Sequence, residues 1–135
     1  CRRQVCQEST NMSGSILMYA ASFVLLGWGF AHLFPTRNVV EGFGDISDEN
    51  KRIITMEWIV EGVSLIFIGV LVALVTIVAP SASVSKAVYL LSAIGLVVLA
   101  LVSLFTGFKI KFLPFRLCPF IFTGSAVLIV IGGLL

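Results

Sequence analysis

Four long runs of apolar residues, separated by short polar stretches, dominate the pattern of this chain. They cover residues 14–34, 59–79, 87–108 and 117–135, and each is apolar on every side. A surface helix of a soluble protein would instead show an apolar stripe and a polar face. A helix rises about 1.5 Å per residue, so roughly 20 residues cross the ~30 Å of hydrocarbon in a bilayer. The pattern therefore predicts an all-α polytopic membrane protein, in which four transmembrane helices form an antiparallel bundle.

Local signals indicate where these helices begin and end. Pro35 follows the first run and closes it, because proline disfavours helical backbone in the residue before it. Ser47 can cap the second helix, and the acidic residues that follow it suit the positive end of a helix dipole. Pro119 fits the first turn of the fourth helix, where its missing N–H costs nothing. The predicted helices therefore cover residues 14–34, 48–79, 87–108 and 117–135.

The composition agrees with a membrane protein. Charged residues make up 12% of the chain, against about 25% in soluble domains, and the mean hydropathy is +1.09. A tail over residues 1–12 and three connections remain outside the helices, which is too little for a separate soluble domain. We therefore predict a single integral membrane domain over residues 1–135. Met12 is an alternative start, in which case the residues before it would not be native.

Lysine and arginine residues predict the orientation in the membrane. One side holds Arg37, Lys51, Arg52, Lys109, Lys111 and Arg116, in the loop between the first two helices and the connection between the last two. The opposite side holds Arg2, Arg3 and Lys86. The positive-inside rule then places the charged loops in the cytoplasm and both termini outside it. The net charge of +2 is spread around the helix ends and indicates no nucleic-acid surface.

The few ionisable residues inside the predicted helices gather at the cytoplasmic end. His32 lies in the last turn of the first helix, and Glu57 and Glu61 share one face of the second, four residues apart. Because these helices are antiparallel, the end of one and the beginning of the other lie at the same depth. Ionisable residues within a bilayer usually face the bundle interior or a water-filled cavity. We therefore predict a ligand pocket formed by Trp28, His32, Glu57, Trp58, Glu61 and Arg116, with His32, Glu57 and Glu61 as candidate catalytic residues.

Three interpretations of this cluster stay open. Its ion pairs could only hold the helices together. Alternatively, Glu61 and His32 could handle protons for a lipophilic ligand such as a quinone or an isoprenoid, because histidine titrates near neutral pH and a carboxylate fixes its tautomer. His32, Glu57 and Glu61 also have the composition of a facial metal triad, but no His–Glu spacing supports it and we expect no metal. Cys118 has no evident partner and is expected to be a small buried apolar residue.

Pairs of small residues four positions apart predict where helices approach closely, since they let backbones come together. These pairs are Gly27 with Ala31, Gly69 with Ala73, and Ser103 with Gly107. We expect them to serve packing within one bundle more often than contacts between subunits.

The segment AHLFP closes the first helix and MEWIVEG opens the second. Within a four-helix layout, these segments make the chain resemble DoxX-like small membrane proteins. That group includes proteins linked to quinone-coupled oxidation. The resemblance implies the four-helix architecture, and only the architecture is carried over to this chain.

These observations predict a small integral membrane protein whose polar pocket, at the cytoplasmic end of the bundle, binds a lipophilic ligand. They leave open whether it is an enzyme; if it is, proton-coupled redox chemistry is the expected class, with a quinone as the candidate cofactor. The alternatives are a non-catalytic scaffold or assembly subunit and a small oligomeric transporter. Expected partners are membrane lipids, a lipophilic small molecule, and a second copy of the chain or a membrane complex, with no nucleic acid.

Overall fold

Helices account for almost all of the computed structural model, which describes residues 2–107 and 113–134, and side chains within these ranges from residue 12 onwards except at position 114. The described helices are α1 (Arg2–Leu33), α2 (Thr36–Glu41), α3 (Asp48–Val78), α4 (Ser83–Thr106) and α5 (Leu113–Leu134). All except the short α2 contain a segment long and apolar enough to cross a membrane. No strand occurs in the described residues. The predicted all-α four-helix membrane bundle is confirmed.

Helix α3 begins as the sequence predicts. The Ser47 side chain accepts a hydrogen bond from the backbone N–H of Asn50, at 3.2 Å, and so caps the helix. Asp48 and Glu49 occupy the first turn. The helix ends at Val78, one residue before the predicted end, and Pro80 follows.

Several other boundaries differ from the prediction. Helix α1 already begins at Arg2, although its membrane-spanning part starts at Met12. Helix α4 covers 83–106 instead of 87–108. Residues 36–41, expected in a loop, form α2, because the Pro35 carbonyl accepts a hydrogen bond from the N–H of Val39 at 2.9 Å.

Helix α5 begins at Leu113 and not at 117, so Pro119 lies inside the helix and not in its first turn. Proline has no N–H to donate to the carbonyl one turn before it, which belongs to Phe115. The helix therefore tolerates a missing bond near the end where it begins. Lys109 and Lys111, which contribute to the predicted orientation, lie outside the described residues, as do the side chains of Arg2 and Arg3.

Antiparallel packing orders the four long helices. Gly29, late in α1, meets Gly62, near the middle of α3, whereas Ser22 meets Gly69 further along α3. Helix α1 also packs against α5, and α5 packs against α4. Helices α3 and α4 touch only lightly, so a seam opens between them. The core between the helices contains the fully buried side chains of Ala21, Leu25, Leu65, Val72, Leu96, Phe122 and Ile129.

The outer surface of the bundle is apolar. Phe23, Phe67 and Phe105 have exposed fractions of 78%, 65% and 76%. Soluble monomers rarely expose large continuous apolar areas, whereas lipid tails solvate such side chains without cost. The chain is therefore a multi-pass membrane protein on the basis of its surface as well as its helix lengths.

Glycines set the closest approach between α1 and α3. A Cβ atom added at Gly29 would lie 2.8 Å from the carbonyl oxygen of Gly62 and 2.7 Å from Cγ1 of Ile66. A Cβ added at Gly62 would lie 3.0 Å from the Gly29 carbonyl oxygen and 3.1 Å from Cβ of His32. The predicted pair member Gly69 also lies at this interface, but Gly27 faces open space. The close crossing is therefore centred on Gly29 and Gly62.

We expect Gly29→Ala to lower the thermal unfolding midpoint of the protein in detergent micelles. The added methyl group collides with backbone as well as side-chain atoms, and overpacking of this kind costs about 1–3 kcal/mol. Gly27→Ala is the matched control, because nothing lies within 4 Å of the added Cβ. It should leave the midpoint unchanged or slightly raised. Equal midpoints for the two variants would contradict this account of the interface.

Candidate functional site

His32 lies in the last turn of α1 with an exposed fraction of only 2%. Two tryptophans enclose its ring. The ring of Trp58 stacks on it, with centroids 4.7 Å apart and an angle of 25° between the planes. Trp28, one turn earlier in α1, meets it edge-on with centroids 5.7 Å apart. The imidazole is therefore held in one orientation within a mostly apolar surrounding.

The hydrogen bond at Nδ1 determines the tautomer of His32. This atom lies 3.2 Å from the carbonyl oxygen of Trp28, which can only accept a hydrogen bond. In the neutral ring the proton is therefore on Nδ1, and Nε2 carries a lone pair that can accept a hydrogen bond from the Cys118 thiol. Nε2 points towards Glu61 and Cys118, at 3.7 Å from Oε1 and 3.9 Å from Sγ.

Trp58 connects α3 to the end of α1. Its indole N–H donates a hydrogen bond to the backbone carbonyl of His32. Carbonyl groups in the last turn of a helix lack partners within the helix, and this one accepts the Trp58 bond together with a longer bond of 3.5 Å from the Thr36 hydroxyl. Phe115 of α5 meets the Trp58 ring edge-on, with centroids 5.2 Å apart. Three helices thus contribute to the position of one imidazole.

Glu61 reaches His32 from α3. Its side chain is 30% exposed, and its Oε1 is 3.7 Å from Nε2 of His32. This distance is longer than a normal hydrogen bond but close enough for a strong charge interaction when His32 is protonated. Glu61 lies next to Gly62, so the close helix crossing brings its carboxylate to the histidine.

Cys118 completes the cluster from α5. It is a free thiol with an exposed fraction of 3%. As expected, it is buried, but it lies beside His32 and Glu61, and analysis of the sequence did not assign it to the site. The signal in the sequence that could have assigned it is its position along the helix, because Cys118 is near the beginning of α5 and His32 is near the end of α1. That signal is useful only once α1 and α5 are known to be neighbours.

A cleft of about 400 Å³ opens beside the cluster, in the seam between α3 and α4 and against the start of α5. Glu61 and Cys118 line it on one side. Val60 and Val102, which are more than half exposed, line it near the lipid-facing surface. The cleft is mostly apolar, with Glu57, Ser64, Ser103 and Thr106 as further polar lining residues.

Four of the six predicted pocket residues lie in this cluster, and the other two lie around it. Trp28, His32, Trp58 and Glu61 come together. Glu57 is exposed and lines the cleft together with Glu61, and no described interaction joins it to His32. Arg116 is exposed on α5. These positions leave the catalytic assignments as predictions.

One buried N–H at the site forms no regular hydrogen bond among the described residues. Nε1 of Trp28 is buried and forms no regular hydrogen bond. It interacts with the thiol of Cys118. Buried N–H groups without a regular hydrogen bond are rare, so the position of this one beside the Cys118 thiol is a distinctive feature of the cluster.

A second cleft of about 280 Å³ lies at the opposite end of the bundle, beside Lys86 and Tyr89. The Tyr89 hydroxyl is hydrogen-bonded to the hydroxyl of Thr76 at 2.9 Å. This end holds a lysine but no described group of histidine, cysteine or carboxylate side chains. The His32 cluster is therefore the stronger candidate for chemistry.

In comparisons with known proteins, no family model, curated protein or solved structure matches this chain. The DoxX-like resemblance stays a prediction, and the interpretation of the site rests on its geometry.

We expect Trp58→Phe to destabilise the protein more than Trp28→Phe. The first change keeps an aromatic ring on His32 but removes the shorter of the two hydrogen bonds to its carbonyl, which costs about 1–3 kcal/mol. The second removes an N–H that forms no regular hydrogen bond. Thermal unfolding of both variants in detergent, followed by circular dichroism, measures the difference. A larger loss for Trp28→Phe would show that the Trp58 bond does not position the histidine.

Proposed function

We propose that this membrane protein binds a lipophilic ligand of the quinone or isoprenoid type in the cleft between α3, α4 and α5. The cleft of about 400 Å³ beside the buried His32 and the partly exposed Glu61 is the observation that carries the proposal. Ligand sites are typically concave and apolar with a few polar groups that fix orientation. Here the apolar walls suit a hydrocarbon chain, and Glu61 is placed to meet a polar head group.

The position of the cleft supports entry from the lipid. Val60 and Val102 line it and also belong to the lipid-facing surface, with exposed fractions of 53% and 55%. A ligand dissolved in the bilayer would therefore reach Glu61 without crossing the packed core. The light contact between α3 and α4 permits this route.

Glu61 and His32 divide the acid–base work in this proposal. Glu61 faces the cleft and exchanges a proton with the head group of the ligand. His32 lies behind it, with Nε2 directed at the carboxylate and Nδ1 held by the Trp28 carbonyl. Where the ligand is a quinone, its reduction to a quinol takes up two protons through this pair and two electrons from a redox partner. Oxidation of a quinol is the reverse, in which the pair removes the protons and the partner accepts the electrons.

We further propose that the site lies at the cytoplasmic side of the membrane. Among the described residues, the site's end of the bundle carries Arg37, Lys51, Arg52 and Arg116, whereas the opposite end carries Lys86. The positive-inside rule places the first group in the cytoplasm.

Alkaline phosphatase fused to the C-terminus should then be active, because that end would lie outside the cytoplasm. An inactive phosphatase fusion, together with a fluorescent green fluorescent protein fusion, would reverse the orientation.

Binding of a short-chain ubiquinone should quench the intrinsic fluorescence of the protein in lipid nanodiscs. The chain has two tryptophans, and both lie against His32. Glu61→Gln should weaken the apparent affinity roughly tenfold or more, because a hydrogen bond to a charged group contributes about 1.5–3 kcal/mol. Glu49→Gln, an exposed position in the first turn of the same helix, is the matched control and should bind like the parent.

Ser103→Phe tests the cleft without changing the His–Glu pair, because Ser103 lines the cleft from α4. It should abolish quenching while the unfolding midpoint is retained. Unchanged affinity in Glu61→Gln and Ser103→Phe would overturn the proposal. Loss of stability in Glu61→Gln with full quinone binding would instead support the scaffold interpretation.

A further inference from the structure

We propose that His32, Glu61 and Cys118 form a binding site for a divalent transition-metal ion of the zinc class. The proposal goes beyond binding of a lipophilic ligand and does not depend on it. The three side chains come from α1, α3 and α5, and each offers one ligand atom. They differ from the triad considered from the sequence, in which Glu57 took the place of the cysteine.

The distances between the ligand atoms fit one ion. Nε2 of His32 is 3.7 Å from Oε1 of Glu61 and 3.9 Å from Sγ of Cys118, and all three atoms lie within 4.8 Å of one another. Zinc bonds to nitrogen, oxygen and sulfur imply separations of roughly 3.4–3.6 Å between tetrahedral ligands. Small side-chain rotations would therefore bring the three atoms around a common centre.

The histidine is already prepared as a ligand. A metal-bound imidazole usually donates its other N–H to a backbone carbonyl or a carboxylate, which fixes the tautomer and the ring orientation. His32 has this arrangement, with Nδ1 at 3.2 Å from the Trp28 carbonyl oxygen. Its ring is also clamped by stacking on Trp58. The lone pair of Nε2 thus points to the other two ligand atoms before any ion arrives.

The charges of the three ligands favour a divalent ion. A thiolate and a carboxylate carry two negative charges and a neutral imidazole carries none, so the loaded site is electrically neutral. Neutrality matters here, because charges inside a bilayer are costly unless they are paired. The set of imidazole, thiolate and carboxylate selects zinc-like ions over Mg²⁺ and Ca²⁺, which prefer oxygen ligands. The buried N–H of Trp28, which interacts with the Cys118 thiol, suits a sulfur that carries negative charge.

The fourth coordination position would face the cleft. Glu61 and Cys118 both line it, whereas the tryptophans cover the histidine on its other sides. Three protein ligands with an open position are typical of catalytic zinc sites, whereas structural sites use four. A bound ion would therefore be accessible to water or to the polar head group of a ligand in the cleft.

Zinc binding can be measured on the full chain in detergent after treatment with a chelator. Cys1→Ser and Cys6→Ser are introduced first, so that Cys118 is the remaining thiol. Competition of Zn²⁺ with a fluorescent chelator should give one ion per chain, and the ion should raise the unfolding midpoint, because it binds the folded state. Co²⁺ should give the intense near-ultraviolet absorption of a cobalt–thiolate bond.

Cys118→Ser, which is nearly isosteric, should remove the cobalt–thiolate absorption and weaken Zn²⁺ binding more than about a hundredfold, beyond the 10–100-fold loss typical of groups that only orient a ligand. Glu61→Gln should also weaken binding, and Glu49→Gln, at an exposed position in the first turn of the same helix, is the matched control that should retain one ion per chain. The metal-free Cys118→Ser protein should unfold at the same temperature as its parent, which shows that it folds.

Absence of Zn²⁺ binding in the parent, or equal affinity in Cys118→Ser, would overturn the proposal. Quinone quenching is measured separately, in the presence of the chelator. If the protein binds quinone but not zinc, the metal proposal fails and the proposed function stands. If it binds one zinc ion per chain without quinone quenching, the metal proposal stands and the proposed function fails.

Discussion

The close contact between α1 and α3 at Gly29 and Gly62 is the constraint on which the site depends. Neither glycine leaves room for a methyl group, and a Cβ at Gly62 would meet Cβ of His32 at 3.1 Å. At this separation Trp58 reaches the histidine backbone and stacks on its ring. Larger residues would move the helices apart and separate His32 from Glu61. Packing of two glycines thus determines the geometry of the polar cluster.

Burying a polar group inside a bilayer costs free energy, and several polar groups of the cluster lower this cost by a hydrogen bond or by exposure to the cleft. The His32 carbonyl receives the Trp58 N–H, and the imidazole Nδ1 is bonded to the Trp28 carbonyl. Glu61 keeps 30% of its side chain exposed towards the cleft. Three groups stay only partly satisfied among the described residues: Nε2 of His32, the Cys118 thiol and Nε1 of Trp28. They lie together beside the cleft, which is why the proposals for this protein centre on this end of the bundle.

The sequence predicted the helices correctly where the signal depends on a few neighbouring residues. Run lengths and apolar character predicted the four membrane-spanning helices, and Ser47 with its acidic followers predicted the start of α3. The prediction for Pro119 was wrong because α5 begins four residues before its apolar run. The sequence before that run contains only weak signals for the start of a helix. Of the small-residue pairs, Gly69 lies at a helix contact but Gly27 does not. Spacing alone does not reveal which side of a helix meets a neighbour.

By itself the sequence determined the membrane class, the four membrane-spanning helices and the shared level of His32 and Glu61 along the bundle, because hydrophobic length and antiparallel connections depend only on the order of residues. The tertiary structure alone decided that α5 lies beside α1 and brings Cys118 to the histidine. It also decided that the light contact between α3 and α4 leaves a cleft next to Glu61. The physical reason is that these helices are apolar on all sides. In lipid, such helices have no solvent-facing stripe to indicate their neighbours, and only the fit of their surfaces selects them.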